Sequence, residues 1–317
     1  MSMRRRGDPE ISWRSHLALN ALSESRRLGT LPGPVLRPMA RVVGAVVNRL
    51  RSRAMRRAIL QLGRAFPDMP KRERRRIALK SGNHLSALWA DWIRLPKMTA
   101  AAKMARFDIS ALEAPVRAAL AAETGAVIVT GRVGNWEGMA AALAAATGEL
   151  MLVSRREGPY LRRDVVEDLR HACGIQSSSY LSARVDAPRW LKLNRVVIIL
   201  ADGDAGREGL FLPYFGLLAS ISTLPVRLPA TTPAPCFQAF CIRQPDGHYR
   251  TEVTPLTVAR DAPVEDQRAA LAGWVSHLEG MLRAHPEQAA WAHRRWRTRP
   301  ARDAHDHRPL GIPLAKP

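Results

Sequence analysis

Two charged side chains, Arg132 and Glu137, lie in a short turn that is the part of the sequence best suited to chemistry. The turn, residues 130–137 (TGRVGNWE), follows an apolar run that predicts a buried strand and precedes a small-residue stretch that predicts a helix. A glycine-rich turn between a strand and a helix is one way in which proteins bind nucleotide phosphates. The glycines of this segment do not follow the dinucleotide or P-loop spacing, so a nucleotide site is not predicted.

A second segment, residues 202–206 (DGDAG), resembles the start of a calcium-binding loop. The glutamate that such a loop needs at its twelfth position would be residue 213, which is Pro213, so an EF-hand is excluded. The three cysteines, Cys173, Cys236 and Cys241, have neither zinc-site spacing nor an even number for disulfides. We therefore predict no metal site and a reducing compartment.

The turn strongly resembles the active-site turn of the bacterial lipid A biosynthesis acyltransferases, the late lauroyl and myristoyl acyltransferases of the glycerolipid acyltransferase superfamily. Other blocks extend the resemblance from about residue 56 to residue 300, in the order and spacing of that family. These blocks are residues 65–68, Arg155 after the next strand, Arg170 ahead of Gly174, Asp202 after a later strand, residues 211–216, residues 223–230 with the family's glycine lost, and residues 286–297 (PEQAAWAHRRWR).

The resemblance implies an α/β fold, with a central mixed sheet flanked by helices and an N-terminal helical section. It also implies transfer of a fatty acyl chain from acyl carrier protein or coenzyme A to a hydroxyl of a membrane glycolipid such as lipid A, without a further cofactor. It places Arg132 and Glu137 at the catalytic positions. The residues that it assigns to substrate binding are Gly134, Asn135, Trp136, Arg155, Arg170, Asp202, Phe215 and Gly216. We expect Asp202, Arg170 and Phe215 to line one groove with the turn.

Arg132 occupies the place where the family has a histidine, five residues before the acid. Acyl transfer to a hydroxyl needs a group that takes the proton, and a guanidinium stays protonated near neutral pH. In one hypothesis, Arg132 and Glu137 form an ion pair that fills the site of a non-catalytic, lipid-binding relative. In a second, another residue is the base; Glu137 is a poor candidate because a neighbouring arginine lowers the pKa of a carboxylate. In a third, Arg132 binds a phosphate of the donor or acceptor and the reaction runs slowly.

The formal net charge of +21 indicates an anionic partner, either a membrane surface or nucleic acid. Aromatic residues make up 6% of the chain, which is few for a protein that stacks bases. The arginines at residues 294–299, with Trp291 and Trp296, could still form a basic and aromatic patch. The resemblance favours tryptophans that pack inward, and it adds the anionic acyl carrier protein as a partner.

A basic amphipathic helix is predicted near residues 36–52, with Arg37, Arg41 and Arg51 on one side and apolar residues opposite. The alternatives are a helix that lies on the membrane and a surface helix with a solvated basic face. No signal peptide is predicted, because no apolar region follows the first arginines. No membrane-spanning helix is predicted either, since prolines interrupt the uncharged run at residues 209–226. We therefore expect a peripheral protein on the cytoplasmic face of the inner membrane.

The remaining pattern predicts how these residues are positioned. Strands are predicted at residues 126–129, 150–153, 196–200, 236–242 and 250–254, and helices at residues 59–95, broken at 66–70, and 266–284. Alternation of strands and helices predicts an α/β sheet. The expected organisation is a membrane-associating segment (1–55), an acyltransferase-like domain (56–300) and a loose tail (301–317).

Overall fold

The computed structural model describes residues 52–154 and 163–300, together with residues 35, 36, 38, 39 and 42. In chain order the elements are α1 (Ser52–Ala65), α2 (Lys71–Arg94), α3 (Ala100–Arg106), β1 (Phe107–Asp108), α4 (Ser110–Ala121), β2 (Ala126–Thr130), α5 (Trp136–Thr147), β3 (Leu150–Val153), α6 (Arg163–His171), β4 (Ile175–Ser178), α7 (Tyr180–Lys192), β5 (Val196–Leu200), β6 (Leu210–Tyr214), β7 (Leu217–Ile221), α8 (Leu224–Thr231), β8 (Cys236–Arg243), β9 (Tyr249–Pro255) and α9 (Val264–Ala284).

Seven strands form one sheet in the order β1-β9-β8-β2-β5-β3-β4. Five adjacent strands run parallel to one another, namely β8, β2, β5, β3 and β4. Strand β9 runs antiparallel to β8. Strands β6 and β7 form a separate antiparallel hairpin. The predicted α/β fold with a central mixed sheet and an N-terminal helical section is therefore confirmed.

The two central strands, β2 and β5, are apolar at nearly every position because helices cover both faces of the sheet. On one face the core includes Trp274 and Leu278 of α9. On the other it includes the alanines of α5, whose small side chains let that helix lie close to the sheet. At Gly138 of α5 a Cβ atom would come within 2.1 Å of Phe107, so this contact requires glycine.

All five predicted strands are present, with ends that differ by at most one residue from the predicted bounds. The run at residues 209–226 contains β6, β7 and the start of α8. Most of the predicted helix at residues 36–52, and the whole predicted tail, lie outside the described residues. Within the described part of the chain, no helix combines the length and the apolar character needed to cross a bilayer.

Candidate active site

The turn at residues 130–137 begins at the carboxyl end of β2, in the middle of the sheet. The neighbouring strand β5 is parallel and in register, with Thr130 opposite Leu200. The segments that follow these two strands therefore lie side by side at the carboxyl end of the strands, where α/β proteins usually bind ligands. Val133 adds an isolated bridge to Ala289, which ties the turn to the C-terminal block.

Two turn residues fix the direction in which α5 begins. Gly134 has a φ of +68°, and a Cβ there would lie 2.0 Å from the carbonyl oxygen of Cys241, so only glycine fits. Asn135 is the N-cap of α5, because its Oδ1 accepts a hydrogen bond from the backbone N–H of Gly138 at 2.8 Å. These contacts place Glu137 in the first turn of the helix.

Arg132 is held by Asp202, which follows β5. Its Nη1 donates to Asp202 Oδ1 at 2.7 Å, and Nη2 of Arg295 donates to the other oxygen at 3.1 Å. The side chains of Arg132, Asp202 and Arg295 are 3%, 0% and 0% exposed. Burial alone would raise the pKa of Asp202, but the two guanidinium groups outweigh it and hold that pKa at about 2. Asp202 is therefore a buried carboxylate between two cations.

Glu137 is held by Arg170 of α6. Arg170 donates to both carboxylate oxygens, from Nη2 at 2.5 Å and from Nε at 3.1 Å, which is the bidentate geometry of a strong ion pair. The indole N–H of Trp136 also donates to Glu137, at 3.0 Å. Arg170 lies over the ring of Trp92, with its guanidinium carbon 5.7 Å from the ring centroid. Both members of the pair are almost fully buried.

Arg132 and Glu137 thus have different buried partners. One hypothesis from the sequence pairs these two residues with each other. The structure shows Asp202 as the partner of Arg132 and Arg170 as the partner of Glu137. The four residues form two ion pairs, and each pair joins a residue of the turn to a part of the chain that is distant in sequence.

Residues 20–298 match the family model of the bacterial lipid A biosynthesis acyltransferases. The chain belongs to this family. A comparison with curated proteins gave no match. The match includes the turn, Arg170, Asp202 and the C-terminal block.

In this member of the lipid A acyltransferase family, two histidines lie near the turn. His84 of α2 donates from Nε2 to the carbonyl oxygen of Gly134 at 3.1 Å, and burial lowers its pKa to about 4. His293 lies against Gly203, where a Cβ would come within 2.9 Å of its Nε2. His84 is consequently a neutral hydrogen-bond donor that supports the turn, while His293 packs beside the Arg132–Asp202 pair.

The other residues that the sequence assigns to the site lie in different surroundings. Phe215 and Gly216 form the tight turn of the β6–β7 hairpin, with φ angles of 50° and 71°. Phe215 packs edge-on against Phe66 and Trp291, so it belongs to an aromatic cluster of the core. Arg155 lies outside the described residues. Trp291 and Trp296 are buried, as the inward-packing interpretation predicts.

Sequence reasoning missed His84 and the role of Arg295. A single histidine on a mostly apolar helix face usually indicates packing in the core, so nothing in the sequence assigned His84 to the site. Arg295 is one of several arginines near the C-terminus, and only the fold shows that it is the buried one that reaches Asp202.

A surface cavity of about 240 Å³, lined by residues that include Ser177, Asp186 and Trp190, lies beside β4 and α7. The structure places neither Arg132 nor Glu137 in its lining.

Proposed function

We propose that this protein transfers a fatty acyl chain, slowly, from an acyl carrier protein or acyl coenzyme A to a hydroxyl of a membrane glycolipid of the lipid A type. Acyl donor and acceptor are both substrates, and the proposed reaction uses no further cofactor. The protein acts as a peripheral protein at the cytoplasmic face of the inner membrane, where both substrates are accessible.

The observation that carries this proposal is the position of Glu137. It lies in the first turn of the helix that follows the central strand, after a turn in which Gly134 has no room for a side chain. Arg170 and Trp136 hold its carboxylate in one orientation. A site whose acid is fixed in this way supports alignment of two substrates, which by itself accelerates a transfer reaction.

The rate is expected to be low because the turn holds no base at the family's histidine position. Arg132 keeps its proton near neutral pH and is bound to Asp202. Both oxygens of Glu137 already accept hydrogen bonds from Arg170, so this carboxylate is not positioned to take a proton from a hydroxyl. Loss of a positioned general base costs about 10²–10⁴-fold in rate.

A second function is favoured by the Arg132–Asp202–Arg295 network. All three side chains are buried, and both guanidinium groups bind the same carboxylate, as expected of a structural ion cluster. In that case the protein is a non-catalytic relative that binds the lipid or the acyl carrier without transferring the chain.

Lipid extracts from cells with and without the gene, compared by mass spectrometry, test the proposal. A glycolipid that loses one acyl chain in the deletion strain identifies the acceptor. The deletion strain is then complemented with wild type and with Glu137→Gln, and immunoblotting confirms that both proteins accumulate to the same level. Restoration by wild type alone supports transfer by this site, whereas restoration by both supports the binding function. An unchanged set of lipids in the deletion strain contradicts transfer.

A further inference from the structure

The helices α1 and α2 form a strongly basic hairpin, defined here as residues 52–80. It contains ten Lys and Arg residues and two acidic residues, Asp68 and Glu73, which gives a net charge of +8 within 29 residues. The inner face is buried in the core through residues such as Leu62 and Ile77. Eight of the ten basic residues are exposed, so most of the charge faces away from the core.

The outer face of α1 places one exposed leucine between arginines. Arg56, Leu60 and Arg64 are all exposed and are spaced by four residues, so they form a single line along the helix. Leu60 is 68% exposed, which is high for a large apolar side chain next to a core helix. In water an exposed leucine at this position does not stabilise the folded protein. At a bilayer surface the leucine reaches the acyl boundary while the arginines contact phosphates.

The outer face of α2 repeats this pattern. Leu79 is 36% exposed, although its helical position predicts burial, and Arg75, Arg76 and Lys80 are exposed beside it. Arg72 extends the exposed basic line towards the start of the helix. Two neighbouring helices therefore present leucines among cations on the same hairpin.

One arginine of the hairpin, Arg64, also lies close to a cation outside it, Arg299. Arg299, near the end of the described chain, has a lowered pKa because it is partly buried and because Arg64 adds a second positive charge close by. Like charges at short range repel each other, and an anionic surface relieves that repulsion. This crowding indicates a surface that is suited to a polyanion.

We infer that the basic hairpin is the surface with which the protein docks on a bilayer containing anionic phospholipids. The lipid phosphates contact Arg56, Arg64, Arg72 and Arg76, and the two exposed leucines enter the interface. The inference rests on the membrane location in the proposed function and not on acyl transfer. It assigns membrane contact to a surface outside the predicted helix at residues 36–52.

A bilayer fits this surface better than nucleic acid. Proteins that bind single-stranded nucleic acid commonly combine cations with aromatic side chains for stacking. Phe66 is the one aromatic residue of the hairpin, and it packs against Phe215 and Trp291 in the core. The exposed apolar residues of the hairpin are instead aliphatic, which suits insertion among acyl chains.

The hairpin is also joined directly to the candidate active site. Immediately after Lys80, Ser81 donates to the carbonyl oxygen of Ala289, and His84 donates to that of Gly134. Arg76 and His84 are eight residues apart on one helix, which is about 12 Å along its axis. A hairpin bound to phosphates therefore holds the turn within a short distance of the lipid headgroups.

The test uses the purified full-length protein and two variants with equal charge change. The hairpin variant carries Glu at Arg56, Arg64, Arg72 and Arg76. The control carries Glu at Arg189, Arg207, Arg250 and Arg260, which are exposed elsewhere. Sedimentation with phosphatidylcholine vesicles that contain added phosphatidylglycerol, at low salt, measures binding. Thermal melting confirms that each variant is folded.

Each basic residue near an anionic surface raises affinity about fivefold, so reversal of four charges should weaken binding by about a hundredfold or more. The control should bind within a few fold of wild type. Equal losses in both variants would show that only net charge matters and would overturn the inference. Wild type that fails to bind these vesicles would overturn both the inference and the proposed membrane location. Normal binding by the hairpin variant would overturn the inference alone.

A third variant separates lipid from nucleic acid. Leu60→Ser with Leu79→Ser keeps every charge and should reduce vesicle binding several fold, while leaving binding to a single-stranded RNA oligonucleotide unchanged. If these changes do not affect vesicle binding and the RNA displaces the vesicles at low concentration, the surface is a nucleic-acid site and the inference is wrong.

Discussion

Nη1 of Arg132 lies 2.7 Å from Oδ1 of Asp202, although the two residues are separated by 70 positions in the chain. The contact exists because β2 and β5 are parallel neighbours, and each residue lies two positions beyond its strand. Arg132 therefore neutralises a buried carboxylate. Its replacement changes both the chemistry of the turn and the stability of the sheet edge, and the two effects need separate measurements.

Arg132→His should introduce the missing base and raise the rate of acyl transfer by about 10²-fold or more. Arg295 still compensates Asp202 in this variant, so we expect the protein to remain folded with a lower melting temperature. The measurement is transfer of a labelled acyl chain from acyl carrier protein to the glycolipid acceptor found in the lipid comparison.

The double variant Arg132→His with Glu137→Ala is the control for that experiment. The gain in rate should disappear, because the new histidine has lost the acid that orients it. A gain that persists without Glu137 would contradict the assignment of the acid. A wild type that is faster than Arg132→His would show that the arginine itself binds a substrate.

Arg170→Gln should destabilise the protein by about 3–5 kcal/mol, because it leaves the buried carboxylate of Glu137 without its ion partner. Chemical denaturation measures the free energy of unfolding. Combining Arg170→Gln with Glu137→Gln should cost less than the sum of the single changes, since neither variant side chain is charged. Additive losses would show that the two residues do not stabilise each other.

Gly134→Ala should destabilise the protein strongly and abolish any transfer activity. The new Cβ would lie 2.0 Å from the carbonyl oxygen of Cys241, and the φ of +68° is already unfavourable for alanine. Gly216→Ala is the matched control. Gly216 has a φ of +71°, close to that of Gly134, but nothing lies within 4 Å of its Cβ position, so only backbone strain is introduced. Similar melting temperatures for the two variants would contradict the close-contact argument.

The sequence predicted the five strands β2, β3, β5, β8 and β9 because their signals are local. The apolar runs of β2 and β5 have the lengths of buried strands, and the small residues after Trp136 form the expected helix. It could not predict the strand order, which places Asp202 beside Arg132. Consequently the ion-pair partners were unknown before the structure, since they depend on contacts between distant segments.

Other differences have equally physical causes. Strand β4 has the sequence IQSS, with a polar second half, so its apolar pattern is too short to indicate a strand. Leu79 follows a helical spacing that predicts burial, yet it faces outward on the basic hairpin. Periodicity identifies the helix, but the packing of α1 against α2 decides which of the apolar positions are covered.

The last prediction concerns His84, whose pKa is lowered by burial from 6.5 to about 4. The neutral form is favoured in the folded protein, whereas the unfolded chain takes up a proton near pH 6.5. Stability from this residue is therefore present above pH 6.5 and is lost as the pH falls towards 4. The shift corresponds to about 3 kcal/mol. Unfolding in denaturant at several pH values measures it.

His84→Gln is the matched variant, because its amide N–H₂ can still donate to the carbonyl oxygen of Gly134 and has no charge to gain. Between pH 6.5 and 4 the variant should lose about 3 kcal/mol less stability than wild type. Below pH 4 the two proteins should lose stability in parallel, as carboxylates such as Asp202 begin to take up protons. Identical pH dependence of the two proteins over the upper range would show that His84 is not the buried neutral donor that supports the turn.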